Sequence, residues 1–179
     1  MHTERFSLNH VILSVLDDIV LTTQYNGIKV QILYQPQDIF LEADKERIIQ
    51  VISNLINNAF KFTNTGGGTI SVNVEKEKTE IADYGEGDNN QEVVISVKDT
   101  GTDIDPEILS RLFTRFGTKS DTGTGLGLFI SRRIVEAHGG KIWGENNSPE
   151  KGATFTFSQP LSKEKQSQTT KTCELIQCC

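Results

Sequence analysis

Hydrophobic residues near the amino terminus recur every three or four positions, which is the spacing of an amphipathic helix. The pattern starts at Phe6 and continues to Val20, and Asn26-Gly27 is expected to end the helix. The same spacing predicts three further helices, over residues 44–63, 106–116 and 123–138, the second of them short and with a flexible exit at residues 117–122.

Shorter segments with alternating or continuous apolar residues predict strands between these helices. They cover residues 28–34, 39–42, 69–74, 92–99, 141–146 and 153–158. Residues 75–91 are acidic and contain glycine, which predicts an exposed excursion of a hairpin. Because helices and strands are interleaved without regular βαβ alternation, we predict an α/β sandwich in which one mixed sheet is covered on one face by helices.

The length of 179 residues suits a single domain with tails. We expect residues 1–27 to form a helical leading segment packed on the domain, residues 28–161 to form the domain itself, and residues 162–179 to be a polar disordered tail. All three cysteines, Cys173, Cys178 and Cys179, fall in that tail, so they cannot form a disulfide framework for the core. Exposed thiols are the favoured interpretation, and a lipidation signal is the alternative.

The charge and hydropathy of the chain indicate which partners it can bind and in which compartment it is expected. A formal net charge of -6 argues against nucleic acid, because proteins that bind phosphate backbones usually carry a basic face. No apolar run approaches the roughly 20 residues that a membrane-spanning helix needs. The first ten residues also lack a signal-peptide pattern, so a cytoplasmic location is predicted.

The helix predicted over residues 44–63 carries polar side chains at the edge of its core face. Ile48, Ile52, Leu55, Ala59 and Phe62 form that core face at 100° per residue, and Arg47, Asn54, Asn58 and Lys61 form a polar stripe beside it. Carboxamide oxygens suit Mg²⁺, which also takes substrate phosphates as ligands, and a lysine suits a phosphate oxygen. An ordinary half-exposed helix edge explains the stripe equally well.

Two further clusters have the chemistry of a nucleotide site. Asp99 ends an apolar strand and could accept a hydrogen bond from the exocyclic amine of adenine, and Gly101 would let a flat ring approach the backbone. Glycines alternate over residues 123–127 just before a predicted helix, where bare N–H groups favour anions. Taken alone, the first cluster could be a simple turn and the second a flexible start of the helix.

Together with residues 112–116, the three clusters closely resemble the N, G1, F and G2 boxes of histidine kinase catalytic domains, which belong to the GHKL ATPase superfamily. The matching segments are residues 54–63, 99–101, 112–116 and 123–128, and the likeness extends from about Arg5 to Leu161. The resemblance implies a Bergerat-type ATP-binding fold with a mostly antiparallel sheet. It also implies that residues 28–161 are an ATP-binding catalytic domain.

The resemblance assigns roles to individual positions. Asn58 and Asn54 would hold Mg²⁺, and Lys61 would meet a phosphate; the three are the expected catalytic residues. Asp99 would receive the adenine amine, with Gly101 beneath the ring and Asp103 and Ile104 nearby. The remaining expected nucleotide contacts are Phe113 and Phe116 in a lid, Lys119, Thr122, Gly123, Thr124, Gly125, Leu126, Gly127 and Leu128 around the phosphates, and Thr154 holding a water beside the base.

The implied reaction transfers the γ-phosphoryl group of ATP to a histidine of a phosphoacceptor domain, for delivery to the receiver domain of a response regulator. The phosphoacceptor motif itself is missing, because His2, His10 and His138 each lack its flanking residues. Asp103 stands where the family commonly has a second glycine, so that Asp103→Gly is expected to tighten ATP binding. A degenerate regulatory module of the same superfamily is therefore the alternative to a kinase, and an ATP-driven clamp is disfavoured because no transducer domain follows.

Overall fold

The computed structural model describes residues 2–34, 38–63, 67–78, 91–115 and 125–161. Helices and strands alternate irregularly along these segments. In chain order they are β1 (Glu4–Ser7), α1 (Leu8–Asn26), β2 (Ile28–Tyr34), β3 (Phe40–Ala43), α2 (Lys45–Thr63), β4 (Gly68–Lys78), β5 (Gln91–Asp99), α3 (Pro106–Leu109), α4 (Gly127–Ala137), β6 (Ile142–Asn146) and β7 (Ala153–Pro160).

Five of the described strands form one mixed sheet in the order β2-β4-β5-β7-β6. The β2–β4 pair is parallel, whereas β4–β5, β5–β7 and β6–β7 are antiparallel. β1 and β3 form a separate two-stranded antiparallel sheet. Helices cover one face of the main sheet, which confirms the predicted α/β sandwich.

The core lies between that sheet face and the long helices. Residues of β4 alternate, so that Ile70, Val72 and Val74 are buried and the residues between them are less so. α2 contributes the side chains that the helical spacing predicts, with one exception. Phe62 was expected in the core but is 40% exposed, and Thr63 takes its place at 3% exposed. Thr63 lies four residues after Ala59 and so faces the core, and its hydroxyl donates to the Ala59 carbonyl at 2.7 Å.

The start of α2 is joined to the end of α4 through a histidine. The backbone N–H of Asp44 donates to His138 Nε2 at 3.1 Å, and His138 Nδ1 lies 2.8 Å from the Ile134 carbonyl. Nδ1 therefore carries the proton, and Nε2 is the acceptor. This arrangement holds the start of α2 next to the end of α4.

The amino terminus differs from the predicted helix at its start. Phe6 belongs to β1, where it is buried opposite Leu41 of β3, and α1 begins only at Leu8. The reason is local, because the side chain of Ser7 caps the helix by accepting from the N–H of His10. The predicted end is confirmed, since Gly27 follows the helix with a φ of 69°.

Three other boundaries also differ. The helix predicted over residues 106–116 ends at Leu109, and the turns that follow include a bond from the Thr114 hydroxyl to the Arg111 carbonyl. β4 continues to Lys78, past the expected start of the hairpin excursion. α4 begins at Gly127 rather than at residue 123. The rest of the excursion, residues 117–124 and the expected tail lie outside the described residues.

Candidate nucleotide-binding site

Asp99 ends β5 and is held in place by backbone groups. Its side chain is 1% exposed, and Oδ1 accepts from the N–H of Gly101 at 2.8 Å and of Ala153 at 3.4 Å. Burial raises the pKa of this carboxyl, and the nearby charge of Asp103 raises it further. The two backbone hydrogen bonds lower the pKa and so oppose this rise. Because both bonds are made by Oδ1, Oδ2 is the oxygen able to accept from a ligand amine.

The loop after Asp99 lies directly on the last turn of α2. A side chain at Gly101 would collide with the carbonyl of Phe62, so that only glycine fits there without movement. The N–H of Thr102 donates to the same carbonyl at 3.3 Å. This packing joins the predicted base-binding residue Asp99 to the helix that carries Asn54, Asn58 and Lys61.

The polar stripe of α2 faces the first turn of α4. Asn54 Nδ2 donates to the Gly127 carbonyl at 3.3 Å and lies 3.2 Å from the hydroxyl of the buried Ser131. Since the amide nitrogen is directed at α4, Oδ1 is the atom that can face a cation. Asn58, one turn later, is half-buried, whereas Lys61 is exposed with its ammonium 5.5 Å from the centre of the Phe62 ring.

The start of α4 has the geometry of an anion site. Gly125 has a φ of 65°, a conformation that favours glycine, and the helix begins two residues later. Leu126 occupies the N-cap position and has no polar side chain to satisfy the first N–H groups of the helix. Within the described residues no side chain caps these N–H groups, and bare N–H groups at a helix start suit an anion such as a phosphate. Leu128 is half-buried and packs against the core.

Residues 112–115, which include the first residue of the expected lid, Phe113, are packed onto the domain. Leu112 is buried, Phe113 is half-buried against the core, and the Arg115 guanidinium lies 5.2 Å from the centre of the Phe129 ring in α4. Five predicted contacts, namely Phe116, Lys119, Thr122, Gly123 and Thr124, lie outside the described residues.

Asp103 has a different environment from the one its position suggested. Its Oδ1 accepts from the N–H of Gly152 at 2.8 Å, so the carboxylate is bonded to the turn before β7. Asp103→Gly is expected to tighten ATP binding because it removes a negative side chain near the expected path of the adenine and phosphates. In the structure that substitution would also remove a bond between two parts of the candidate site.

Thr154 is not brought together with Asp99. It pairs with Lys98 in the β5–β7 ladder, and the side chains of successive strand residues point to opposite faces, so it is Ala153 that shares the Asp99 face. The Thr154 hydroxyl donates to Asn147 Oδ1 at 2.7 Å. The sequence pattern does not single out Ser131, Asn146 or Asn147 as site residues. Their hydrogen-bond partners in the site lie far away along the chain.

Comparison with known sequences places the chain in a family. Residues 43–163 match the family described as histidine kinase-, DNA gyrase B-, and HSP90-like ATPase. The chain belongs to this family, and its five-stranded sheet with helices on one face is the fold of histidine kinase catalytic domains.

Individual relatives are sensor kinases. WalK, a sensor histidine kinase of Bacillus subtilis (strain 168), is 36% identical over 137 residues, which are 73% of this chain and 20% of WalK. The adaptive-response sensory kinase SasA of Synechococcus sp. (strain CC9902) is 40% identical over 124 residues, which are 66% of this chain and 29% of SasA. The chain thus spans less than a third of the length of these curated relatives.

Solved structures of histidine kinases are similar to this chain over most of its length. The nucleotide-free catalytic domain of the histidine kinase ThkA superposes with a TM-score of 0.74 at 33% identity, covering 89% of this chain and 96% of that domain. ThkA in complex with the response regulator protein TrrA superposes with a TM-score of 0.67 at 30% identity, covering 92% of this chain and 43% of that one. Among the described residues, no helix is long and apolar enough to cross a membrane.

Proposed function

We propose that this chain is the ATP-binding catalytic domain of a cytoplasmic sensor histidine kinase. The observation that carries the proposal is that α2 contacts both of the other chemical clusters. Asn54 bonds to Gly127 at the start of α4, and Phe62 packs against Gly101 in the loop after Asp99. Three motifs that are far apart along the sequence therefore surround one region.

Adenine would lie at the Asp99 end of this region. The Asp99 carboxylate accepts hydrogen bonds, so it suits the exocyclic amine of adenine and not the carbonyl that guanine presents there. A buried polar group that loses its ligand partner is costly, and this cost gives the site its preference for one base. Gly101 lets the loop lie directly against α2, because a side chain at this position would collide with the Phe62 carbonyl.

The phosphates and a magnesium ion would lie at the other end. Asn58 and Asn54 present carboxamides at the edge of α2, and Mg²⁺ accepts such oxygens together with phosphate oxygens and water. The residues fit this ion, because the Asn54 amide nitrogen is directed at Gly127 and Ser131, so that Oδ1 can turn to a cation. A bound Mg²⁺ would neutralise charge on the phosphates. The N–H groups at the start of α4, together with Lys61, would bind the phosphate oxygens.

The reaction requires little covalent chemistry from this domain. A histidine imidazole nitrogen attacks the γ-phosphorus, a P–N bond forms, the P–O bond to the bridging oxygen breaks, and ADP leaves. The domain contributes by orienting the γ-phosphate and by offsetting its charge. The partners are a phosphoacceptor histidine domain, upstream in a longer protein or on another chain, and the receiver domain of a response regulator.

A nucleotide-binding module without kinase activity is the second candidate, and Asp103 is the observation that favours it. This residue replaces a family glycine and is bonded to Gly152, so the loop near the base differs from the usual form. Such a module would bind nucleotide and regulate a partner without transferring phosphate.

One experiment separates the two candidates. The chain is mixed with a separately expressed dimerisation helix pair that carries the phosphoacceptor histidine, together with Mg²⁺ and radiolabelled ATP. Acid-labile, base-stable label on the helix pair supports the kinase, and replacement of the acceptor histidine by alanine is the control. Nucleotide binding without such label, tested with helix pairs from several close relatives, supports the module instead.

A further inference from the structure

The end of β6 and the turn that joins it to β7 are bonded to the loop that follows Asp99. Asn146 makes two bonds to one residue, because its Oδ1 accepts from the Ile104 N–H at 2.6 Å and its Nδ2 donates to the Ile104 carbonyl at 2.9 Å. Only a carboxamide side chain offers a donor and an acceptor in this arrangement. The pair therefore fixes both the position and the direction of the backbone at Ile104.

Neighbouring contacts make the turn itself rigid. The backbone N–H of Asn147 donates to the Gly152 carbonyl at 2.8 Å, and its side-chain Nδ2 donates to the Asp99 carbonyl at 2.8 Å. Asp103 completes the connection through its bond to the Gly152 N–H. A side chain at Gly152 would collide with the Asp99 carbonyl, which shows how closely the two segments approach. The loop is thus bonded at its start through Asp99 and at its end through Asp103 and Ile104.

We propose that Asn146 is a positioning residue for base recognition, acting through Ile104 and not through contact with the nucleotide. This inference rests on the proposed function, since it assumes that the loop after Asp99 receives adenine. Asn146 holds the far end of the loop, and Asp99 holds its near end on Ala153 of the adjacent strand. With both ends fixed, the loop presents the Asp99 carboxylate and the Ile104 side chain to the base without rearrangement.

We expect removal of the Asn146 side chain to lower the affinity only for ligands that contain a base. The phosphates would be bound by α2 and by the start of α4, and neither element is bonded to Asn146 in the described part of the chain. Loss of the Asn146 side chain should therefore weaken the binding of a nucleotide and leave the binding of its triphosphate part alone. A general loss of structure would weaken both ligands together.

The test compares Asn146→Ala with Asn73→Ala, whose side chain is half-buried on β4 and bonds only to Glu75 in the described structure. Kd is measured by NMR titration for Mg-ATP and for Mg-tripolyphosphate, which has no base. We expect Asn146→Ala to raise the Kd for ATP about tenfold, since two hydrogen bonds to the loop are lost. The Kd for tripolyphosphate should change less than about twofold, and Asn73→Ala should change neither.

A conservative variant keeps the test decisive if the alanine variant does not fold. Asn146→Ser retains a hydroxyl that can make one of the two bonds to Ile104 without placing a charge beside its carbonyl, so it should fall between the wild type and Asn146→Ala in ATP affinity. An unchanged ATP affinity, or equal losses for the two ligands, overturns the positioning role and leaves the proposed function standing. Failure of the wild-type chain to bind Mg-ATP overturns both.

Discussion

The two ends of the candidate site are built in different ways. At the base end, the loop from Asp99 to Ile104 is bonded to α2, to β7 and to the β6–β7 turn. At the phosphate end, the polar stripe lies on helix edges, and among the contacts described there Asn54 alone joins α2 to α4 through a side-chain amide. The base end is a preformed hydrogen-bonded surface, whereas the phosphate end depends on a helix terminus and on charge.

This difference separates two physical tasks. Reading a base requires a donor or acceptor held at a fixed place, because a misplaced partner leaves a buried polar group unsatisfied. Holding phosphates requires positive potential and N–H groups, which tolerate small shifts and respond to ions. We therefore expect substitutions at the base end to affect folding and selectivity together, and substitutions at the phosphate end to affect mainly metal-dependent affinity.

The largest expected effect is on the free energy of unfolding, and it should differ between an alanine substitution at the base end and one at the phosphate end. Gly101→Ala places a methyl group against the Phe62 carbonyl and should lower the free energy of unfolding by about 3 kcal/mol, since backbone must move. At Gly127 the same methyl group would lie 3.6 Å from the Asn54 side chain, an ordinary contact. Gly127→Ala should therefore keep or slightly raise stability in urea unfolding. Equal losses for the two variants would contradict the distinction.

The next effect concerns affinity and tests Asp99 itself. Asp99→Asn should weaken Mg-ATP binding about 100-fold, because the adenine amine would lose its charged acceptor. Burial raises the pKa of this carboxyl, so its ionised form makes folding less favourable at neutral pH, and the variant should be at least as stable as the wild type.

Glu150→Gln is the matched control for Asp99→Asn, because Glu150 is an exposed carboxylate bonded to Lys98. Calorimetry should detect no change in ATP affinity for this control. Retention of wild-type ATP affinity by Asp99→Asn would show that the base is bound elsewhere.

A smaller effect on nucleotide affinity is expected at the phosphate end, and it should depend on magnesium. Asn58→Ala should weaken ADP binding about tenfold when Mg²⁺ is present, because a ligand of the ion is lost. With Mg²⁺ removed by a chelator, the variant and the wild type should bind ADP equally. The measurement is the Kd under both conditions, and a loss of the same size without Mg²⁺ would argue against a metal-binding role for Asn58.

The smallest expected effect is on pH dependence. Because burial and the Asp103 charge raise the Asp99 pKa, its protonation should begin at a higher pH than for an ordinary carboxyl. Mg-ADP affinity, normalised to that of Mg-tripolyphosphate, should fall a few-fold as the pH is lowered to just below that pKa, where only part of the Asp99 carboxyl is ionised. Asp103→Asn should move the midpoint to lower pH. A midpoint that does not move would exclude an electrostatic influence of Asp103 on Asp99.

The sequence predicts the phosphate end better than the base end. The helical spacing of α2 places Asn54, Asn58 and Lys61 on one edge, and alternating glycines mark the start of α4, so local patterns contain the information. At the base end, Asp99 and Gly101 stand out, but Asn146 acts on a residue 42 positions away. Such a pairing depends on the order of strands in the sheet, which local patterns do not specify.

Two differences from the sequence prediction involve a shift of a single residue. The sequence predicts a water-holding role beside the base for Thr154, whereas the β5–β7 register directs Ala153 to the Asp99 face of the sheet. The sequence also predicts Phe62 in the core, whereas Thr63 occupies the core-facing position in the last turn of α2. In both cases the composition of the segment does not determine which of two neighbouring side chains takes the position.

A structure of the chain bound to Mg²⁺ and a non-hydrolysable ATP analogue would test the central claim most directly. We predict that the adenine amine lies within hydrogen-bond distance of the Asp99 carboxylate, that the metal is bound by the Asn58 side chain, and that the phosphates contact the N–H groups at the start of α4. A nucleotide bound away from Asp99, or phosphates bound on the opposite side of α2 from α4, would contradict the account.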